Sequence, residues 1–507
     1  MVDWFVLKSG SDIRGTAVGD GTILTDEVAR TIGMAFALFL SEKRGKPVDS
    51  ITVSLGRDSR VSGPALLSSA AEGIVCAGGR AVDYGLCTTP AMYMSTITEG
   101  FKPDGAIMVT ASHHPWNKNG LKFFTEKGGL ESDDIANLLN RAQTLKPGRC
   151  SAAERIIKEE FLPVYMNQLA ERICSGLNTE SEKPLSGLHI VVDAGNGAGG
   201  FYADLLRQLG ANTEGSQFLE PDGRFPNHIP NPENTEAMQS VSKAVINAGA
   251  DLGVIFDADC DRAAIVDSKG NGINRNRLIA LISAVLLSEE KGLTIVTDSV
   301  TSSGLSLFIR SLGGDHYRFK RGYRNVIDEA IRLNKQGINC PLAIETSGHA
   351  ALRENHFLDD GMYLVTLLIA RALQMKKEGR ELGSLIDELN EPVESQEIRI
   401  RITEQDFQDT GKEAIRRVAE YAESNPDWHI LPDNREGIRV SFNAGGHPDA
   451  CWFLLRLSVH DPVLPLNLES DVKGGIRMMI NHLYNILKDL KGIDLSEIRK
   501  ENEEAGK

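Results

Sequence analysis

The chain has 507 residues, 41% hydrophobic and 25% charged, which fits a folded protein of several domains and excludes a low-complexity or disordered chain. The formal charge of −15 argues against a nonspecific nucleic-acid binder, though a local basic site for anionic small molecules stays open. No apolar run reaches the length of a membrane span, and "MVDWFVLKSGSD" has no secretory pattern. These features predict a cytoplasmic protein, or a plastid one if a transit peptide has been removed, with no nucleic-acid or membrane partner.

From the N-terminus, three segments share one rhythm. "ITVSLGRDSRVSGPALLSSAAEGIVCAGG", "LHIVVDAGNGAGGFYADLLRQLGA" and "LTIVTDSVTSSGLSLFIRSLGG" each run from an apolar strand through a polar turn into a helix. That alternation predicts three similar mixed α/β domains. The last stretch reads differently. "EIRIRITEQDF", "GIRVSFN" and "CWFLLRLSVHDPVLPLNLES" are strands, with helices at "KEAIRRVAEYAES" and "DVKGGIRMMINHLYNILKDL", giving a C-terminal α+β domain. The tail "RKENEEAGK" is expected to fray. Turn-rich joints divide the chain at residues 1–155, 156–271, 272–394 and 395–507. Seven cysteines without a CxxC pair predict a reducing compartment and no disulfide framework.

Five loops carry candidate chemistry. "DGAIMVTASHHPWNKNGLKFF" predicts a buried strand ending at an exposed Ser112, with His113, Asn119 and Lys122 converging on the same loop; ligands bind at such strand ends in open α/β sheets. In "VIFDADCDRAAIVD", alternate carboxylates Asp257, Asp259 and Asp261 repel one another, and a divalent cation with oxygen ligands, Mg²⁺ above all, relieves that. An EF-hand is excluded, because Arg262 and Ser268 stand where Gly and Glu are needed. "DAGNGAGG" matches a dinucleotide fingerprint formally, but reads as a tight strand-to-helix turn, so a nicotinamide-dependent enzyme is disfavoured. In "AIETSGHAAL", Glu345, Ser347 and His349 would share one side of an extended chain and could grip sugar hydroxyls. In "LLRLSVHDP", Arg456, Ser458 and His460 alternate and could cradle a phosphate. "SDIRG" (Asp12, Arg14), "GRDSR" (Arg57, Arg60) and "FKRGYR" (Lys320, Tyr323, Arg324) add cations near loops.

Taken together and in order, "SDIRG", "GRDSR", "YGLCTTP", "TASHHP", "NGLKFF", "VVDAGNGAGG", "DGRFPNHIPNPEN", "DADCDR", "KRGY", "ETSGH", "FLDDG" and "RLSVHDP" resemble the α-D-phosphohexomutases, the bacterial-type phosphoglucomutases and phosphomannomutases. The resemblance implies four domains around a central cleft. It implies that Ser112 carries a phosphoryl group, with Mg²⁺ between it and Asp257, Asp259 and Asp261. Hexose 1-phosphate and hexose 6-phosphate would interconvert through a hexose 1,6-bisphosphate, which also serves as activator. Arg14, His113, Lys122 and Arg262 would line the transfer site, with Lys122 as proton shuttle. Glu345, Ser347 and His349, with Lys320 and Tyr323, would hold the sugar, and Arg456, Ser458 and His460 the other phosphate. The enzyme would be a monomer or homodimer acting on glucose or mannose phosphates.

This sequence departs from the family pattern at His114, where Asn is usual, at Ala258 and Cys260, where glycines are usual, at Val459 and His460 in the phosphate loop, and at Tyr323, where phosphomannomutases often have His. A phosphoglucosamine mutase and a catalytically weak sugar-phosphate-binding relative are the alternatives.

Overall fold

The computed structural model describes residues 3–146, 148, 153–404, 406–444, 446–458 and 461–504. The chain forms two compact units, Met1–Leu278 with Ser347–Ser384, and Ile279–Thr346 with Leu385–Lys507. Together they hold four domains of mixed sheets and helices, three α/β and one α+β.

In the first unit, strands Arg80–Leu86, Thr52–Arg57 and Gly105–Val109 lie parallel, and Lys118–Thr125 joins Gly105–Val109 antiparallel. Strand Asp12–Thr16 extends this edge, pairing antiparallel with Lys118–Thr125. Gly105–Val109 is buried at every position, as expected of a strand covered on both faces. Helices Asp26–Arg44 and Gly63–Cys76 pack together on the sheet. A Cβ on Gly33 would stand 2.1 Å from the Ala70 carbonyl, and one on Gly73 1.9 Å from that of Arg30, so only glycine lets these backbones approach so closely. The Thr25 hydroxyl caps the first of these helices by accepting from the Val28 amide at 3.3 Å, a contact worth about 1 kcal/mol.

A second sheet in this unit pairs Ile190–Asp193 parallel with Leu252–Phe256, which turns back antiparallel into Ala263–Asp267. The aspartate loop is therefore the connection of a β-hairpin. "DAGNGAGG" forms the tight turn predicted: Gly195 and Asn196 have φ of 53° and 58°, and helix Phe201–Gln208 follows. A Cβ on Gly200 would meet the Leu219 carbonyl at 2.1 Å. Helix Gly361–Lys377 is capped by Asp360, whose carboxylate also accepts from the Tyr165 hydroxyl at 2.7 Å.

In the second unit, Thr294–Thr297 lies between Asp315–Arg318 and Leu342–Ile344, all parallel. The C-terminal antiparallel sheet runs in the order Trp428–Ile430, Ile438–Ala444, His447–Leu455, Val463–Ser470, Glu394–Ile402, Ile493–Asp494. Helices Phe407–Ser424 and Gly475–Leu487 bury their apolar faces against it.

Two expectations are corrected. "CWFLLRLSVHDPVLPLNLES" is not one strand but contributes to the two arms of a hairpin, His447–Leu455 and Val463–Ser470, paired antiparallel. The tail is helical from Ser496 to Glu504, anchored by the fully buried Ile498. Cys87, Cys174, Cys260, Cys340 and Cys451 are free thiols.

Candidate active site

Ser112 stands three residues beyond the end of strand Gly105–Val109, in the left-handed region at φ 52°. It is buried, not exposed as the strand-end reading predicts. The cause is a side chain from the second sheet: the Ser112 hydroxyl donates to Asp257 Oδ2 at 2.7 Å. Its oxygen also lies 3.4 Å from His113 Nδ1. The ring of His113 stacks on that of His114, centroids 4.9 Å apart. Burial, with Arg262 next in importance, pushes His113 down to about 2, and burial and Arg14 push His114 down to about 4, so both are neutral at pH 7.

Asp257, Asp259 and Asp261 are all buried and present carboxylate oxygens within 4.8 Å of one another. Lys122, on the strand antiparallel to the serine strand, donates to Asp259 Oδ2 at 3.0 Å and to Asp261 Oδ2 at 2.5 Å. Thr89, from the "YGLCTTP" segment, donates its hydroxyl to Asp259 Oδ2 at 2.6 Å and its amide to the Asp259 carbonyl at 2.9 Å. Burial, with the like charges of Asp259 and Asp261, raises the Asp257 carboxyl well above its usual range. At Asp261 burial pulls the same way but is outweighed by Lys122, His349 and Arg262, which hold it well below. Burial alone would lower Lys122; its two carboxylate neighbours overcome that and keep the ammonium charged.

Asp259 Oδ1 and Asp261 Oδ1 are buried without a hydrogen-bond partner. Orphaned anionic oxygens in an all-carboxylate cluster fit a hard divalent cation, so the triad could hold one. Cys260, inside this loop, is buried at φ 65°, the left-handed conformation a glycine adopts freely. Its thiol lies 3.7 Å from the Asp257 carbonyl.

Arg262 closes the loop. Its Nε donates to His349 Nε2 at 3.0 Å, and its guanidinium lies 3.9 Å from Glu233 and 4.0 Å from Asp257. Ser347 joins this group through a 3.0 Å contact between its hydroxyl and His349 Nδ1. The segment around them is a turn with Gly348 at φ 93°, not the extended chain expected. Arg14 pairs with Asp12 at 2.8 Å, and its buried Nε has no partner. Asn119 does not join Ser112. Its amide donates to Ser62 at 2.9 Å and its oxygen accepts from the Gly120 amide.

The second unit carries the remaining candidates. Glu345 accepts from the Gly322 amide at 2.7 Å. Lys320 is exposed, and Tyr323 opens helix Tyr323–Lys335, its side chain outside the described set. Arg456 lies 3.8 Å from Glu436, with its Nε buried and unpartnered. Ser458 accepts from the Asp461 amide at 3.2 Å. Val459 and His460 lie outside the described residues.

Sequence reasoning missed Thr89, Glu233, Glu436 and Asp298. Asp298 is fully buried, accepts from the Thr346 hydroxyl at 2.7 Å, and leaves Oδ1 without a partner. Its position after an apolar strand, "TIVTD", was the available signal.

Comparison with known proteins shows the family of this chain. Family models described as phosphoglucomutase/phosphomannomutase alpha/beta/alpha domains I, II and III match residues 7–146, 163–270 and 274–393. A phosphoglucomutase from Neisseria gonorrhoeae is 30% identical over 480 residues, 94% of this chain and 95% of the relative. A phosphomannomutase/phosphoglucomutase from Pseudomonas aeruginosa is 31% identical over 480 residues, 94% of each chain. The crystal structure of a phosphoglucomutase/phosphomannomutase family protein from Burkholderia thailandensis matches with a TM-score of 0.76 and 27% identity, covering 97% of this chain and 98% of that one.

Proposed function

This chain belongs to the phosphoglucomutase/phosphomannomutase family and is a hexose phosphate mutase, and from that premise we propose how it works and on what. Ser112 is the phosphoryl carrier, and the substrates are the 1- and 6-phosphates of glucose and mannose. The observation that carries this is the 2.7 Å hydrogen bond between the Ser112 hydroxyl and Asp257 inside a buried, under-satisfied carboxylate cluster.

Phosphoryl transfer depends on charge neutralisation and in-line placement more than on covalent assistance. Asp257, Asp259 and Asp261, with Ser112, would hold Mg²⁺, which when bound neutralises charge on the phosphoryl oxygens. Arg14 and Arg262 add fixed positive charge, and His113 offers a neutral ring beside the serine oxygen. In the forward step the P–O bond to Ser112 breaks and one to the sugar hydroxyl forms. Lys122 gives a proton to the departing serine oxygen, and the proton lost by the sugar hydroxyl restores the ammonium. The bisphosphate product then returns its other phosphate to Ser112 by the reverse exchange. The same bisphosphate primes unphosphorylated enzyme, which makes it an activator. Ser347 and His349, together with Glu345, Lys320 and Tyr323, supply sugar contacts; Arg456, Ser458 and His460 supply the phosphate cradle. We also propose domain limits at 155, 271 and 394, a cytoplasmic location, and a monomer or homodimer.

The test is an intact-mass measurement with a coupled assay on glucose 1-phosphate and a trace of the 1,6-bisphosphate. Wild type should gain the mass of one phosphate and turn over; Ser112→Ala should gain none and lose at least about 10³-fold in rate. Chelation should abolish turnover and added Mg²⁺ restore it. Full turnover by Ser112→Ala would end this reading.

A further inference from the structure

Arg60 is fully buried, yet no substrate role falls to it. A guanidinium has five N–H donors, and here every one is used. Nε donates to Asp58 Oδ2 at 3.1 Å. One terminal nitrogen donates to the carbonyls of Pro115 and Lys118, each at 2.8 Å. The other donates to the carbonyls of Ser112 at 2.5 Å and His114 at 2.7 Å. Four of the five acceptors are thus backbone oxygens of one loop, residues 112–118, and the first belongs to Ser112.

The same cluster holds Ser112 from its other side. The Ser112 amide donates to Thr110 Oγ1 at 2.9 Å, and that hydroxyl donates to Asp58 Oδ2 at 2.7 Å. Asp58 is itself fixed by the Arg60 amide at 2.9 Å. Both peptide groups flanking Ser112 Cα are therefore tied, directly or through one hydroxyl, to the Asp58–Arg60 pair. This matters because Ser112 sits at φ 52°, a conformation that non-glycine residues keep only when their surroundings impose it. The second sheet's loop closes over the pair. Arg60 bridges to Gly223, where a Cβ would stand 2.5 Å from Arg60 Cα, and the Phe225 ring lies 5.2 Å from the guanidinium carbon.

We propose that Arg60 is a positioning residue for phosphoryl transfer: by gathering the Ser112, His114, Pro115 and Lys118 carbonyls it holds the serine in the strained conformation that aims its oxygen at the aspartate loop. The inference rests on the phosphoserine reading above. A surface or core arginine kept only for stability would not need its donors concentrated on one reactive loop. Lysine cannot replace it, since an ammonium has three donors and no planar fork.

The experiment compares wild type, Arg60→Lys, Arg60→Ala and Thr110→Val by thermal melting, by phosphate uptake from glucose 1,6-bisphosphate in intact-mass time courses, and by kcat and KM for glucose 1-phosphate. A misplaced nucleophile costs about 10²-fold, so Arg60→Lys should lower kcat and the uptake rate by about that factor with KM within about twofold of wild type. Arg60→Ala should regain at least about tenfold with added guanidinium ion, and Thr110→Val should show the same split in smaller degree. If Arg60→Ala does not fold, Arg60→Lys and Thr110→Val carry the test. A folded Arg60→Lys with kcat within about threefold of wild type overturns the proposal, as does an Arg60→Lys that cannot fold, because the residue is then a core strut. A wild type that takes up no phosphate removes the phosphoserine reading itself, a result distinct from either.

Discussion

The serine loop and the loop proposed to cradle a phosphate are built on opposite plans. Residues 112–118 are gathered by a buried arginine that spends all five donors on them and their anchor, Asp58. Among the described residues, the Arg456–Ser458 segment is held differently: the Arg456 amide donates to the Pro465 carbonyl and the Ser458 amide to the Val463 carbonyl, each at 3.1 Å, the Ser458 hydroxyl accepts from the Asp461 amide at 3.2 Å, and Arg456 faces Glu436 at 3.8 Å with its Nε unpartnered. The first plan suits a group that must be placed to within a fraction of an ångström. The second leaves hydrogen-bonding capacity for an anion that arrives, which suits a loop accepting a phosphate attached to either end of a sugar. Rigid placement serves transfer and spare donors serve recognition.

That contrast can be broken in graded ways. The largest effect is expected at Lys122. Lys122→Ala removes the buried ammonium that bonds both Asp259 and Asp261, which costs about 3–5 kcal/mol in stability and at least about 10²-fold in kcat. Denaturant melts and steady-state kinetics check this; equal stability to wild type would refute the ion-pair account. A more moderate effect is expected at Arg456. Arg456→Ala should raise KM for glucose 1-phosphate by about tenfold with kcat changed far less, the mark of lost recognition and the reverse of the split expected at Arg60. A fall in kcat with unchanged KM would erase the distinction between the loops.

The smallest effect concerns pH. Burial, then the neighbouring Glu345, raises Asp298 from its ordinary 3.8 to about 7 against the pull of Arg321 and the Thr346 donors. The folded form therefore holds a proton that the unfolded chain has lost between about pH 4 and about pH 7. Stability from this group is full below the ordinary carboxyl range, falls as pH rises through that window, and is level above it. Asp298→Asn should lack the slope. Its melting temperature relative to wild type should climb between pH 4 and pH 7, by an amount reflecting a few kcal/mol at most. A constant difference across that range would remove Asp298 from the account.

Much of the site is legible in the chain because its parts are local. "TASHHP" and "DADCDR" each put their chemistry within a few residues of a strand end, and the alternation of Asp257, Asp259 and Asp261 announces a charge problem needing a cation or a base. Arg60 was legible only as a cation near a loop, because its four carbonyl partners lie 52 to 58 positions away. Thr89 and Glu233 are silent for the same reason: Thr89 is 170 residues from the aspartate it serves. The "ETSGH" reading failed in its geometry because it assumed an extended chain, and Gly348 turns it.

The order of apolar runs, turn glycines and charged strand ends determined by itself the α/β and α+β architecture and the carboxylate cluster, since periodicity and short-range repulsion act between near neighbours along the chain, while the family was legible through the resemblance of the ordered motifs. Tertiary structure alone decided that Ser112 is buried against Asp257, that Lys122 neutralises Asp259 and Asp261, and that Arg60 gathers the carbonyls of the serine loop. Each of these depends on distance in space, and Coulomb and hydrogen-bond energies respond to that distance without regard to sequence separation.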